Sequence, residues 1–303
     1  MKKRLYFFQV LIVLVLGLQS TQAQEVYLDS INAKIGKETF TYSDTLKLDF
    51  YSSEKGVVPN RPLLILVHGG GFSGGKRDNF LESGFSEAMA KRGYAVASMS
   101  YSLRKGKSFG CDCPSTEKIE TFKSVSADVL KATRFLIGKS AKLNFDKNKI
   151  ILVGSSAGAE AVLNTAFLQY HPDFKKLPYG DIKFAGVVSF AGAVLNADYI
   201  VKNNAVPTLL FHGKKDKLVP FGTAPHHHCI ASAAGYLMLD GSRTIAERLK
   251  VLNTSCTLVY DPNGSHDWAN LPYAQVDLIS EFILQNVLNG KLIQSHVRMS
   301  HKN

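Results

Sequence analysis

Two serines close an apolar run in Ile151-Leu152-Val153-Gly154-Ser155-Ser156-Ala157-Gly158. The last five residues fit Gly-x-Ser-x-Gly, in which the middle serine stands on a tight strand-to-helix turn with the helix N-terminus facing its hydroxyl. A hydroxyl is a weak nucleophile. To attack an acyl carbon it needs a base to take its proton, and that base needs a carboxylate to hold its tautomer. Both residue types follow in the chain: Asp216 within Gly213-Lys214-Lys215-Asp216-Lys217, and His266 within Gly264-Ser265-His266-Asp267-Trp268. Upstream, His68-Gly69-Gly70-Gly71-Phe72 opens directly off another apolar run. Successive glycines let backbone N–H groups turn toward a developing negative charge.

Each element has a bland alternative. A chain of this glycine and serine content contains the pentad by chance in roughly one case in six, so its position directly after Lys149 to Val153 carries the weight. Asp240, Asp261 and Asp267 rival Asp216 as the acid; Asp216 is favoured because it alone follows the penultimate apolar run. Among the other histidines, His68 is committed to the glycine turn, and His212 precedes Gly213 at a strand end, where it shapes the loop.

These residues need a scaffold, and the periodicity supplies one. Short runs that are apolar throughout recur at Pro62 to His68, Tyr94 to Tyr101, Lys149 to Gly154, Phe184 to Phe190, Pro207 to Gly213 and Cys256 to Tyr260, as expected of strands buried on both faces. Between them lie segments with helical spacing. The clearest is Ser115 to Ser140, where Ile119, Phe122, Val125, Val129 and Leu136 recur at steps of three, four and seven. Others span Asn79 to Arg92, Ala157 to Tyr170, Ser242 to Leu252 and Tyr273 to Leu288. Strands alternating with helices predict an α/β fold with a mostly parallel central sheet and helices on both faces. Ahead of it, Glu38 to Tyr51 alternates as one or two antiparallel strands. In such sheets ligands bind beyond the carboxyl ends of the strands, where all four motifs fall.

Taken together, the motifs and their order from Ser156 to Asp216 to His266 resemble the α/β-hydrolase superfamily, and more narrowly its secreted carboxylesterase and lipase-like members with an HGGG oxyanion loop. The resemblance spans about Leu46 to Leu288. It implies Ser156 as nucleophile, His266 as general base and acid, Asp216 as its orienter, and the N–H groups of Gly70, Gly71 and Ala157 as an oxyanion hole, with Ser155 a structural neighbour and short cap loops above. It implies a serine esterase without cofactor or metal, acting on small-molecule or carbohydrate-linked esters, with acyl or aryl groups on carbohydrates as the leading substrate. A serine peptidase of the prolyl-oligopeptidase type and a non-catalytic binding protein of the same fold are the alternatives. Many relatives carry Tyr-Arg-Leu after the fourth strand; this chain has Tyr101-Ser102-Leu103 with Arg104 one place later. The loops Arg104 to Pro114 and Val219 to Gly241 are expected to overhang the serine, with Phe109, Tyr236 and Met238 as substrate contacts.

Composition fits that picture. The 303 residues are 45 % hydrophobic and 20 % charged, enough for a sizeable core. Lys2, Lys3 and Arg4 precede an apolar run from Leu5 to Leu18, followed by Thr21-Gln22-Ala23, the pattern of a secretory signal peptide over residues 1–23 and too short an apolar run for a spanning helix. Residues 24–303 are then expected to form one domain, exported to a periplasmic or extracellular space. Loss of the three leader cations lowers the formal charge from +11 to +8. The lysines are scattered rather than gathered with aromatics, which argues against a nucleic-acid partner. Export also favours disulfides. A bond within Cys111-Asp112-Cys113 would close a very tight ring, so a bridge from that loop to Cys229 is expected, with Cys256 buried and free. A zinc site from Cys111, Cys113 and the run His226-His227-His228-Cys229 is conceivable by ligand type, but its spacing does not match the usual paired knuckles.

Overall fold

A computed structural model describes residues 27–30, 32–54, 59–104, 106 and 108–300. The expected signal peptide lies outside the described residues. In chain order the strands are β1 (Ile35–Ser43), β2 (Leu46–Ser53), β3 (Arg61–Val67), β4 (Ala95–Met99), β5 (Phe145–Ser155), β6 (Gly186–Phe190), β7 (Ala193–Val194), β8 (Thr208–Gly213), β9 (Thr223–Pro225), β10 (Met238–Gly241), β11 (Cys256–Asp261) and β12 (Gln294–Arg298). The helices used below are α1 (Phe80–Lys91), α2 (Ser115–Ile137), α3 (Ala157–Phe167), α4 (Ser242–Val251) and α5 (Val276–Phe282).

Nine strands form one sheet in the order β1-β2-β4-β3-β5-β6-β8-β11-β12. The β1/β2 and β2/β4 pairs are antiparallel and all others are parallel. Every residue of β3 and β4 is buried, which explains why these strands read as continuous apolar runs. Their side chains still alternate. Leu63, Ile65 and Val67 of β3 join the core under α2, α3 and α4, whereas Leu64 and Leu66 join the core under α1 and α5. The crossovers from β3 run to β4 on one side and from β4 to β5 on the other. The gap beyond the ends of β3 and β5 is therefore the topological switch point at which open sheets hold ligands.

Several expectations need correction. The helix read over Tyr273 to Leu288 is broken into a 3₁₀ turn at Leu271–Ala274, α5, and a π-type stretch at Ile283–Leu288, with Pro272 at the start of the 3₁₀ turn. The helix after Ser156 ends at Phe167 rather than Tyr170. An edge strand, β12, lies beyond the last expected element, and β7, β10 and β9 form a small antiparallel sheet of their own. Because β12 joins the main sheet, the strand before Asp216 is third from last there, not penultimate.

Candidate active site

Ser156 sits between the end of β5 and the start of α3 with φ 50° and ψ −120°, a left-handed conformation that a serine adopts only when its surroundings impose it. Its N–H donates to the Phe190 carbonyl (2.8 Å) and its carbonyl accepts from the Glu160 N–H (2.9 Å). The flanking glycines are required by close approach. A Cβ on Gly154 would lie 2.3 Å from the Gly158 carbonyl oxygen, and one on Gly158 would lie 2.1 Å from that of Val67. Ser155 points away, donating to the Ala269 carbonyl at 2.7 Å.

His266 opens a 3₁₀ turn after β11. Its Nε2 lies 2.8 Å from Ser156 Oγ and its Nδ1 2.6 Å from Asp216 Oδ2. The carboxylate can only accept, so Nδ1 carries the proton and Nε2 is left to accept from the serine hydroxyl. Asp216 is 3 % exposed. Its Oδ1 accepts from the N–H groups of Leu218 (2.8 Å) and Val219 (3.0 Å), and His212 Nε2 lies 3.4 Å from Oδ2. Burial alone would raise the Asp216 pKa, but hydrogen bonds from His212 and His266 and their charge outweigh it and hold the carboxyl well below its usual range. The rival acids are engaged locally: Asp240 with Ala197 N–H, Asp261 with Asn263 N–H, and Asp267 with the Ser265 and Trp268 N–H groups.

The glycine loop folds back on itself. Gly70 (φ 118°) and Gly71 (φ 58°) take backbone angles that side chains resist, and the Gly70 carbonyl accepts from the N–H groups of Ser73 and Gly74 at 3.2 and 2.9 Å. His68 anchors the loop, with Nδ1 donating to the Gly69 carbonyl (2.8 Å) and its ring stacked on Tyr101 at 4.4 Å. Gly70, Gly71, Ala157, Ser156 and His266 all line one cavity of about 670 Å³.

A family model described as BD-FAE matches residues 48–194. No curated protein sequence matches the chain. Among solved structures, Thermogutta terrifontis esterase 2 phosphorylated by paraoxon superposes with a TM-score of 0.61 at 22 % identity, covering 82 % of this chain and 94 % of that one. The propionate-bound form of the same esterase gives 0.60 at 20 % identity, with the same coverage. The chain has the α/β-hydrolase fold.

Within this fold the cap loops carry the less expected features. Phe109, Leu218, Val219, His226 and His227 line the cavity, but Tyr236 and Met238 do not; both are exposed, with the Tyr236 hydroxyl against Met238 Sδ at 3.4 Å. A disulfide from Cys111 to Cys229 ties the two loops together, and Cys113 and Cys256 are free and buried. The bond consumes two of the sulfurs a zinc site would have needed, and among the described residues no cluster of histidine, cysteine and carboxylate side chains is placed to hold a metal. Arg104, one place later than the arginine of the relatives' motif, anchors its loop to α2: it donates to Thr121 Oγ1 (2.8 Å) and pairs with Glu117 (2.9 Å). His228 Nε2 reaches the Asp216 carbonyl at 3.1 Å. Burial, with the nearby charges of Lys118 and His266, pushes His227 down to about 4. Sequence reasoning missed two buried carboxyls in the cavity wall, Glu82 and Glu160; each occurs within an ordinary helical segment, and only tertiary packing distinguishes it.

Proposed function

We propose that this α/β-hydrolase is an exported serine esterase that cleaves carboxylic esters through an acyl-enzyme. The observation that carries the reading is the hydrogen-bonded chain from Ser156 Oγ through His266 to Asp216, 2.8 and 2.6 Å long, opening on the cavity. His266 Nε2 takes the serine proton as Oγ attacks the carbonyl carbon. The same nitrogen then protonates the leaving alcohol, and water repeats the sequence on the acyl-enzyme. Asp216 keeps the imidazole in the accepting tautomer and offsets the charge it gains. The N–H groups of Gly70, Gly71 and Ala157 stabilise the oxyanion, each typically worth about 3 kcal/mol of barrier.

The Thermogutta esterase 2 forms bearing a paraoxon phosphoryl group and propionate support an ester-hydrolysing use of this fold with a short acyl group. The basic, apolar and small-residue leader supports export, as does a disulfide in the cap. Acyl or aryl esters on carbohydrates are the preferred substrate class. The test is a panel of nitrophenyl acetate, nitrophenyl octanoate, a feruloyl ester, acetylated xylan and a Gly-Pro amide, with Ser156→Ala beside the wild type. Ester turnover that vanishes in the variant is expected. Turnover of the amide alone would replace esterase with peptidase.

A further inference from the structure

The cavity wall beside Ser156 holds polar atoms for which the serine chemistry has no use. Glu160 stands in the first turn of α3, four residues after Ser156, and its N–H donates to the Ser156 carbonyl at 2.9 Å. Both residues line the cavity. Glu160 is 2 % exposed and His226, from the opposing cap loop, is 1 % exposed. His226 Nε2 approaches Glu160 Oε1 to 3.3 Å, but the contact is not aligned as a hydrogen bond. Glu160 Oε1 and His226 Nδ1 are both without a hydrogen-bond partner among the described residues. Polar groups this deeply buried nearly always have partners, so two orphans on one cavity wall point to a ligand group that supplies them.

The chemistry of that group follows from the pair. Burial, partly opposed by Lys118 and reinforced by Asp216, raises Glu160 well above the usual carboxylate range and so favours its protonated form. Burial likewise pushes His226 well down, and its imidazole is neutral. A neutral carboxyl and a neutral imidazole both donate and accept. Lys118, whose charge bears on both groups, donates to the Gly235 carbonyl at 2.8 Å and does not line the cavity, so no ammonium or guanidinium faces the pair from the cavity wall. A hydroxyl both donates and accepts without bringing charge into the wall; a methyl group in its place would leave both orphans buried.

We propose that Glu160 and His226 form a hydroxyl-recognising subsite, and that preferred esters carry a hydroxyl group within a few bonds of the scissile carbonyl. The proposal rests on the reading of Ser156 as nucleophile. The hydroxyl can belong to the alcohol portion, as in a polyol monoester, or to the acyl portion, as in a hydroxy-acid ester.

Two near-isosteric pairs separate these sources: 2-hydroxyethyl butyrate against propyl butyrate, and ethyl 3-hydroxybutyrate against ethyl 3-methylbutyrate. After correction for alkaline hydrolysis rates, the wild type should favour the hydroxylated member of one pair by about tenfold or more in kcat/KM. Glu160→Met should bring that ratio close to one, whereas Glu160→Gln, whose amide still donates and accepts, should retain most of it. If Glu160→Met does not fold, His226→Phe carries the same expectation. Equal rates within both pairs in the wild type, or an undiminished ratio in Glu160→Met or His226→Phe, overturn the subsite and leave the serine reading standing. An enzyme inert to all four esters that also takes up no fluorophosphonate overturns both.

Discussion

Asp216→Asn tests the arrangement at the atom where it is most constrained. Asp216 Oδ1 accepts two backbone N–H groups, from Leu218 and Val219. An asparagine must place its amide oxygen there, because an NH₂ group would face two donors. Its NH₂ then faces His266 Nδ1 at the 2.6 Å position. That nitrogen must become the acceptor, so the ring proton moves to Nε2 and points at Ser156 Oγ. The base can no longer take the serine proton. Trapping the wrong tautomer costs about 10⁴ in kcat, or about 5.4 kcal/mol of barrier. The assay is steady-state hydrolysis of a nitrophenyl ester at saturating substrate, with circular dichroism to establish folding. A variant keeping more than about a tenth of wild-type kcat would refute the tautomer argument and pass the role to another carboxylate. Stability gives a second readout with a defined sign. The folded-state pKa of Asp216 lies below its unfolded value, so its contribution is present above about pH 4 and is lost as pH falls toward the folded pKa. In urea titrations the wild type's stability advantage over Asp216→Asn should therefore shrink below about pH 4; an advantage that grows on acidification would contradict the assignment.

Gly70→Ala places a Cβ 2.4 Å from the Gly74 carbonyl oxygen at a φ of 118°, and kcat should fall by about 10² or more as the oxyanion loop is displaced; near-normal turnover would remove Gly70 from that role. His212→Phe removes a ring whose Nε2 lies beside Asp216 Oδ2 and whose Nδ1 bonds Ser242 Oγ at 2.8 Å; kcat should drop by about 10- to 100-fold with KM little changed, and a change confined to KM would make the ring a substrate contact instead. Breaking Cys111–Cys229, which spans 118 residues, with the double serine variant should lower unfolding free energy by about 2–4 kcal/mol in denaturant titrations; no loss would show that the cap contributes nothing to global stability.

What could be read in the sequence depended on how local each signal was. β3, β8 and the second half of β5 declared themselves because both faces are buried and each carries an unbroken apolar stretch, Leu63 to Val67, Leu209 to Phe211 and Ile150 to Val153, and the four motifs stand at strand ends where the sheet geometry requires ligands to bind. β12 did not. It is an edge strand, mostly exposed, with the polar sequence Gln-Ser-His-Val-Arg, which gives no hydrophobic period. The pieces β7, β9 and β10 are two to four residues long, below the length at which alternation can be recognised. The cysteine pairing was legible because the alternative ring was sterically poor. Tyr236 and Met238 were misplaced because exposure and direction in an irregular loop are tertiary facts, and the buried state of Glu160 and His226 is set by elements 66 residues apart in the chain.

The central claim is that Ser156 is the group that becomes acylated. Treating the protein with paraoxon and mapping the phosphoryl group by peptide mass spectrometry addresses it directly. The account predicts one phosphoryl group per chain, on the peptide containing Ser156, in step with loss of esterase activity and absent in Ser156→Ala. A phosphoryl group on another residue, or esterase activity that survives full modification of Ser156, would contradict it.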